Sequence, residues 1–325
     1  MKRFHLFNSH TYRDFEKISL EIFRLQAKKN NVYGTFLNHL NCDILNVKSI
    51  REIPFLPIQF FKSHQIIASK QPVQEVFLSS GTTGMQQSRH FVTDISLYEE
   101  SFQKGFQHFY GNIEDYTILA LLPSYLERNG SSLIYMVNNL IASSKKPKSG
   151  FYLNNLDELA KTLKVLDQKG EKVLVIGVSF ALLDLVESHK FQLKNTIIME
   201  TGGMKGRRIE LIRSALHQIL SEGFGVEKIH SEYGMTELLG QAYSKGYGLF
   251  ECPPWMKILT RDTEDALTIL PEGTSGGINV IDLANINSCS FIATQDLGKT
   301  YPNGSFEVLG RFDNSDIRGC NLMLL

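Results

Sequence analysis

An α/β fold with mostly parallel strands flanked by helices, joined to a later β-rich part, is what this sequence predicts, and three observations carry that expectation. Between residues 76 and 229, short apolar runs alternate with helical patterns, the order that crossover connections impose on a parallel sheet. Before that stretch the chain reads as helix, and beyond about Trp255 it breaks into short runs separated by Gly, Pro, Asn and Asp. At 325 residues the chain exceeds the usual size of one domain, so a large domain with an appendage, or two domains, is expected.

Residues 1–70 read as a mainly helical lead-in, because Phe15, Ile18, Ile22, Phe23 and Leu25 fall near helical spacing. Ile53-Pro54-Phe55-Leu56-Pro57 interrupts it, since two prolines prevent regular helix and favour an extended or turning path. Residues 71–254 carry the alternation. An apolar run over 116–122 ends at Pro123 and is followed by a Gly-Ser-Ser turn and the apolar stretch 133–141. Residues 172–176 precede a helical 181–188; residues 196–199 precede Gly202-Gly203 and a helical pattern over 209–221. Residues 226–229 then lead into a polar loop. Residues 255–309 read as antiparallel β-structure packed against the α/β part, with short runs at 266–270, 277–283, 290–293 and 305–308. Residues 310–325 read as a hinge-like tail, and no repeat or low-complexity segment is present.

Charge narrows the function classes. Thirty-four basic and 34 acidic residues balance to a formal net charge of zero, so neither a nucleic-acid surface nor a basic membrane face is expected. The small cluster Lys145-Lys146-Pro147-Lys148 suits a solvated loop. No apolar run is long enough to span a bilayer, and Met1-Lys2-Arg3-Phe4-His5 lacks the apolar core of a signal peptide. Cys42, Cys252, Cys289 and Cys320 are scattered without metal-ligand spacing, which makes reduced thiols in a cytoplasmic protein the expectation.

Chemistry concentrates in a few motifs. Ser79-Ser80-Gly81-Thr82-Thr83-Gly84 follows the apolar Val76-Phe77-Leu78. Its two glycines let the backbone curl with N–H groups inward, and its four hydroxyls add donors, which makes a cradle for a phosphate-like anion or a plain polar turn. It is not a Walker loop, because no Gly-Lys-Ser/Thr follows. Tyr233-Gly234-Met235-Thr236-Glu237 places a ring, a turn, a hydroxyl and a carboxylate within five positions, enough to stack a base, touch a phosphate and hold Mg²⁺, or merely to cap a helix. In Thr294-Gln295-Asp296-Leu297-Gly298 an Asp follows a strand and precedes a Gly turn, where its carboxylate could accept ribose hydroxyls. Gly310-Arg311-Phe312-Asp313-Asn314 suits a hinge or a surface hairpin, and Gly202-Gly203 suits a flat base or any tight turn.

Taken in order, these motifs resemble the adenylate-forming ligase superfamily, and more closely the acyl-protein synthetase (LuxE) family. The closer likeness rests on Ile53 to Pro57 with Phe60-Phe61-Lys62, on Leu126-Glu127-Arg128-Asn129-Gly130-Ser131-Ser132, and on Cys252-Pro253-Pro254-Trp255-Met256. It covers roughly residue 50 to the end. The resemblance implies a large adenylate-forming N-terminal domain, over residues 1–309, without the small lysine-bearing C-terminal domain of the superfamily. It implies that Ser80, Gly81, Thr82, Thr83 and Gly84 hold the ATP phosphates and that Gly202, Gly203 and Tyr233 hold adenine. Thr236 would contact phosphate, with Gly234 and Met235 in the same nucleotide-binding segment. Glu237 would bind Mg²⁺, and Asp296 and Arg311 would bind ribose. The implied reaction converts a carboxylic acid, of fatty-acid type, and ATP into acyl-AMP and pyrophosphate.

Two departures sharpen the reading. Where the superfamily places a lysine after the Thr-Gly, this chain has Met85-Gln86-Gln87-Ser88-Arg89, and Arg89 is the nearest cation. After Gly319 only Cys320 to Leu325 follow, and none matches the superfamily's adenylation lysine. Cys320 matches the cysteine that carries the acyl group in acyl-protein synthetases. A thiol on a loosely tethered tail can swing between acyl-AMP and a partner such as an acyl reductase, and Arg318 on the same face would favour its thiolate. Coenzyme A as acceptor and a non-catalytic nucleotide-binding subunit are the alternatives. His230 and Ser231 are left unassigned, and residues 178–182 are the expected wall of an acyl pocket.

Overall fold

The computed structural model describes residues 6–7, 11–80, 86–122, 130–153, 155–202 and 211–311. The chain opens with helices α1 (Tyr12–Lys29) and α2 (Asn31–His39), strand β1 (Leu56–Pro57) and a single helical turn, α3 (Phe60–Ser63). Helix is thus less extensive before residue 70 than its apolar spacing predicts. The proline-flanked Leu56-Pro57 joins a sheet instead, pairing in parallel with Ile292 and Ala293. Thr11 caps α1 by accepting from the Asp14 N–H, and Asn30 caps α2 by accepting from Tyr33.

A hairpin follows, β2 (Glu75–Leu78) and β3 (Arg89–Val92), and then α4 (Ile95–Tyr110). The alternating part comprises β4 (Thr117–Leu121), α5 (Ser132–Ser144), β5 (Gly150–Phe151), α6 (Leu156–Gln168), β6 (Val173–Val178), α7 (Ser179–Ser188), β7 (Thr196–Thr201), α8 (Arg213–Phe224) and β8 (His230–Tyr233). Strands β4 and β6 are buried at every position, which is why they read as continuous apolar runs. Strands β9 (Ala242–Ser244), β10 (Leu249–Glu251), β11 (Met256–Arg261), β12 (Ser275–Asp282), β13 (Phe291–Thr300) and β14 (Phe306–Arg311) complete the described chain.

One twelve-stranded sheet runs in the order β11-β12-β13-β14-β10-β9-β8-β7-β6-β4-β5, with β1 added beside β13. From β5 to β8 its pairs are parallel, and from β8 to β11 they are antiparallel. The α/β class expected from the sequence holds. The later strands, however, continue the parallel sheet edge to edge through β8 and β9. Of the run over 266–270, the structure keeps one isolated bridge, Arg261 with Ile269. Residues 226–229 are not a strand. The fifth strand of the parallel run is His230–Tyr233, whose polar side chains are satisfied within the sheet, as described below. Among the described residues, no helix is long and apolar enough to cross a membrane.

Helix α1 is fastened to the later strands by polar contacts. The fully buried Gln26 donates to the carbonyls of Asn285 and Ile286 and accepts from the Ser290 N–H, and Asn30 donates to the Ser288 carbonyl. The helical lead-in therefore supports the segment 283–290, which in turn supports the site.

Candidate functional site

Open α/β sheets place ligands beyond the carboxyl ends of their parallel strands, where loops diverge. Here β7 ends at Thr201 and β8 at Tyr233, with Glu200 opposite Ser231 and Thr201 opposite Glu232. Gly202 follows at φ +67°, the left-handed region that glycine tolerates, and its carbonyl accepts from the Ser179 hydroxyl at 2.8 Å. Gly203 lies outside the described residues. The carboxylate of Glu200 accepts from Ser179 at 3.1 Å and Ser231 at 3.0 Å, with His217 at 3.4 Å and Arg213 at 3.7 Å. Burial pushes Glu200 up, but His217 and Arg213 outweigh it and leave the group below its usual range. Glu232 accepts from Thr201 at 2.6 Å, and burial, reinforced by Glu200, pushes it up to about 7.

The phosphate-loop motif is closed at its mouth. Ser79 N–H donates to the Ser88 carbonyl at 3.0 Å, and Ser88 N–H donates to Ser79 Oγ at 2.8 Å. The Leu78 N–H also donates to the Gly130 carbonyl at 2.7 Å, which brings the segment before α5 against β2. Ser80 is exposed beside this clasp. Gly81, Thr82, Thr83 and Gly84 lie outside the described residues, as does most of the 126–132 motif. Arg89 is exposed and stands over the Phe91 ring at 5.6 Å.

Strand β3 carries the clasp directly to the second motif. The Ser88 hydroxyl acts on the Glu237 carboxylate and pulls its pKa down, but the group is only 5% exposed, and burial dominates and raises the carboxyl above its ordinary value. Two residues on, His90 Nδ1 lies 3.0 Å from the Thr236 carbonyl and Nε2 lies 3.0 Å from Ser288 Oγ. A carbonyl only accepts, so Nδ1 carries the proton and Nε2 accepts from Ser288. Burial holds His90 neutral, with its pKa lowered to about 4. Below the motif, Asn285 donates to the Glu237 carbonyl, and Asp282 accepts from the N–H groups of Leu239, Gly240 and Ala284. Even with these three donors, burial pushes Asp282 up to about 6. Gly234 is exposed, and Met235 and Thr236 are half-buried.

The third motif meets the second at Tyr233. Its hydroxyl donates to Asp296 at 2.8 Å, and Arg311 Nε reaches the other Asp296 oxygen at 3.2 Å. Asp296 is 7% exposed and Tyr233 8%, while Arg311 is exposed. The Tyr233 ring packs edge-on against Phe250 and Phe306, so the residue expected to stack a base is itself held in an aromatic cluster. Burial, then the Asp296 charge, hold its phenol well above the usual range. The strand-end-and-turn reading of 294–298 is corrected. These residues run inside β13, and Gly298 sits at an irregularity where the register with β14 shifts. Gly310 and Arg311 end β14, with Arg311 opposite Asp296.

The structure thus gathers Ser79, Ser88, Tyr233, Glu237, Asp296 and Arg311 into one connected group. Residues 178–182, expected to wall an acyl pocket, are buried, and the Ser179 hydroxyl turns to Glu200 and Gly202. His230 meets the Tyr110 hydroxyl at 3.2 Å, and burial lowers it to about 4. Cys289 is pushed up to about 12 by burial, which also raises Cys42 and Cys252. Cys320 and Arg318 lie outside the described residues. Sequence reading missed Glu200, Glu232, His90, Asp282 and Asn285. A carboxylate closing an apolar strand just before a glycine pair, as at Glu200, was the available signal for the first.

A family model described as "Acyl-protein synthetase, LuxE" matches residues 3–325. No curated protein matches the chain. Among solved structures, ATP-bound MatB from Rhodopseudomonas palustris is similar at 18% identity and TM-score 0.57, over 75% of this chain and 49% of its own. An open conformation of 2-hydroxyisobutyryl-CoA ligase, in complex with 2-HIB-AMP and CoA, is similar at 10% identity and TM-score 0.67, over 93% of this chain and 70% of its own. At these identities the likeness is one of fold, and the chain spans about half the length of the MatB structure.

Proposed function

This chain belongs to the acyl-protein synthetase (LuxE) family, matched over residues 3–325, and from that premise we propose that it activates a carboxylic acid with ATP and carries the acyl group on Cys320. The substrate is an acid of fatty-acid type. One carboxylate oxygen attacks the α-phosphorus of ATP, the bond to the bridging oxygen breaks, and pyrophosphate leaves acyl-AMP behind. The Cys320 thiolate then attacks the acyl carbon, releasing AMP and forming a thioester that an acyl reductase or another acceptor takes.

The observation that supports this reading is that the buried Glu237 carboxylate feels both Ser88, which closes the loop mouth, and the Asp296–Arg311 pair that Tyr233 joins. Bringing two anions together calls for positioning and charge neutralisation more than for covalent help. The N–H groups and hydroxyls of the 79–84 loop would hold the phosphates, and Asp296 would accept from the ribose hydroxyls. Among the described residues no group of three or more His, Cys, Asp or Glu could hold a metal by itself. A single buried carboxyl, as at Glu237, nevertheless fits Mg²⁺, which keeps its waters and takes one or two carboxylates with substrate phosphates. The metal would supply charge neutralisation at those phosphates.

The test is intact-protein mass after incubation with Mg-ATP and a panel of carboxylic acids, with acid-dependent pyrophosphate exchange measured in parallel. Wild type should gain an acyl adduct that hydroxylamine removes and Cys320→Ser abolishes, while exchange persists in that variant. Glu237→Ala should lower exchange on the order of a hundred-fold or more. An adduct that survives Cys320→Ser, or free acyl-CoA made by that variant, would overturn the covalent step.

A further inference from the structure

The strand that bears Asp296 is distorted where it bears it. Between the pairs Gly277–Leu297 and Asn279–Ala293, β12 advances two residues while β13 advances four, so Thr294, Gln295 and Asp296 bulge opposite Ile278 alone. A bulge of this size leaves ladder groups unpaired, and in a buried sheet they need other partners.

Those partners come from the strand beyond. Arg261, on β11 and only 6% exposed, lies opposite Gly277 and extends its side chain over β12. Its Nη1 donates to the Ile278 carbonyl and to Asn279 Oδ1, both at 2.8 Å, and its Nη2 donates to the Thr294 carbonyl at 2.6 Å. A Cβ on Gly277 would lie 2.6 Å from the Arg261 Cζ, so the crossing needs a glycine there. The bulge is closed from within by Thr294 Oγ1, which donates to the Ile278 carbonyl and accepts from the Asp296 N–H. The guanidinium and Thr294 together fix the backbone from which the Asp296 carboxylate projects.

We propose that Arg261 is the positioning residue for Asp296: its guanidinium fills the β13 bulge and thereby sets where that carboxylate meets the ribose of a bound nucleotide. The proposal rests on the nucleotide-site reading above. Arg261 acts through the Thr294 carbonyl. Lysine reaches as far but presents a single point of charge where three acceptors in two strands must be met by a planar fork. The Asp296 charge also acts on Arg261, opposing the downward pull of burial that takes the guanidinium to about 10.

The experiment compares calorimetric binding of Mg-ATP and Mg-2′,3′-dideoxy-ATP to the full chain, for wild type, Asp296→Ala, Arg261→Met, Arg261→Lys and Gly277→Ala. Wild type should prefer ATP by about tenfold or more, the worth of hydrogen bonds to a charged acceptor. In Arg261→Met that preference should collapse toward one, as in Asp296→Ala, while dideoxy-ATP affinity stays within about twofold of wild type. Gly277→Ala should copy the loss, since its methyl displaces the guanidinium without removing it. Circular dichroism establishes which variants fold; if Arg261→Met does not, Arg261→Lys and Gly277→Ala decide. Wild type showing no preference for ATP would overturn the nucleotide-site reading. Folded variants that keep the wild-type preference, or lose both ligands equally, would overturn the role of Arg261.

Discussion

His90 joins three parts of the chain with one neutral ring, and its protonation state follows from its partners. Its N–H is aimed at the Thr236 carbonyl, and its other nitrogen takes the Ser288 hydroxyl. Taking a charged ring out of water costs more than the Thr236 carbonyl returns, so the folded chain resists a second proton and the pKa drops from 6.5 to about 4. The unfolded chain binds that proton readily. The contribution of neutral His90 to stability is therefore complete above pH 6.5 and is lost as pH falls toward 4, amounting to roughly 3 kcal/mol. His230, lowered to about 4, loses its contribution over the same range. Glu232 and Asp282, raised to about 7 and 6, act in the opposite sense and lose stability as pH rises through those values. Urea titrations of wild type and His90→Gln at pH 7 and pH 5 isolate the histidine: the gap between them should narrow at the lower pH. An unchanged gap would show that the ring is not held neutral.

Among elements, the segment 283–290 matters beyond its length, because α1 holds it from one side and Glu237 and His90 hang on it from the other. Replacing Gln26 with leucine would remove a donor from the Asn285 and half-buried Ile286 carbonyls and the acceptor of the buried Ser290 N–H. The expected cost is about 2–4 kcal/mol by urea unfolding, with weakened Mg-ATP binding in the protein that remains folded. Full retention of both would separate α1 from the site. Which elements were legible in the sequence follows from the same physics. Strands β4, β6 and β7 declare themselves as apolar runs because helices cover both faces. Strand β8 does not: His-Ser-Glu-Tyr looks like loop, and partners remote in sequence, Tyr110, Glu200, Thr201 and Asp296, satisfy those side chains in the sheet. Likewise Thr294 to Gly298 mimics a strand end and turn, since local sequence cannot reveal an arginine 33 residues earlier that fills the bulge. Motif positions at Tyr233, Glu237, Asp296 and Arg311 were legible as types and order; their mutual contacts, which span up to 63 residues, were not.

For the whole molecule, continuity of the sheet from β5 to β11 is the governing feature. The change in composition at 254 leaves it whole, because β10, before that point, pairs with β14 beyond it and continues through β9 to β8. The chain's one tryptophan reports on the join: Trp255 precedes β11, donates to Ser101 on α4 at 3.0 Å and packs edge-on against Phe7. Tryptophan fluorescence and far-ultraviolet dichroism should therefore trace the same urea transition, with one midpoint. Two separated midpoints would mean that the later strands melt apart from the parallel half.

Ser88 has a consequence of its own. Its main chain shuts the mouth of the 79–88 loop, and its hydroxyl acts on the Glu237 carboxylate, so a single amino acid stands between the loop mouth and that charge. Under the proposed reading, triphosphate and divalent cation cannot then be bound as strangers. Whatever factor one lends to the other's affinity must be returned in equal measure.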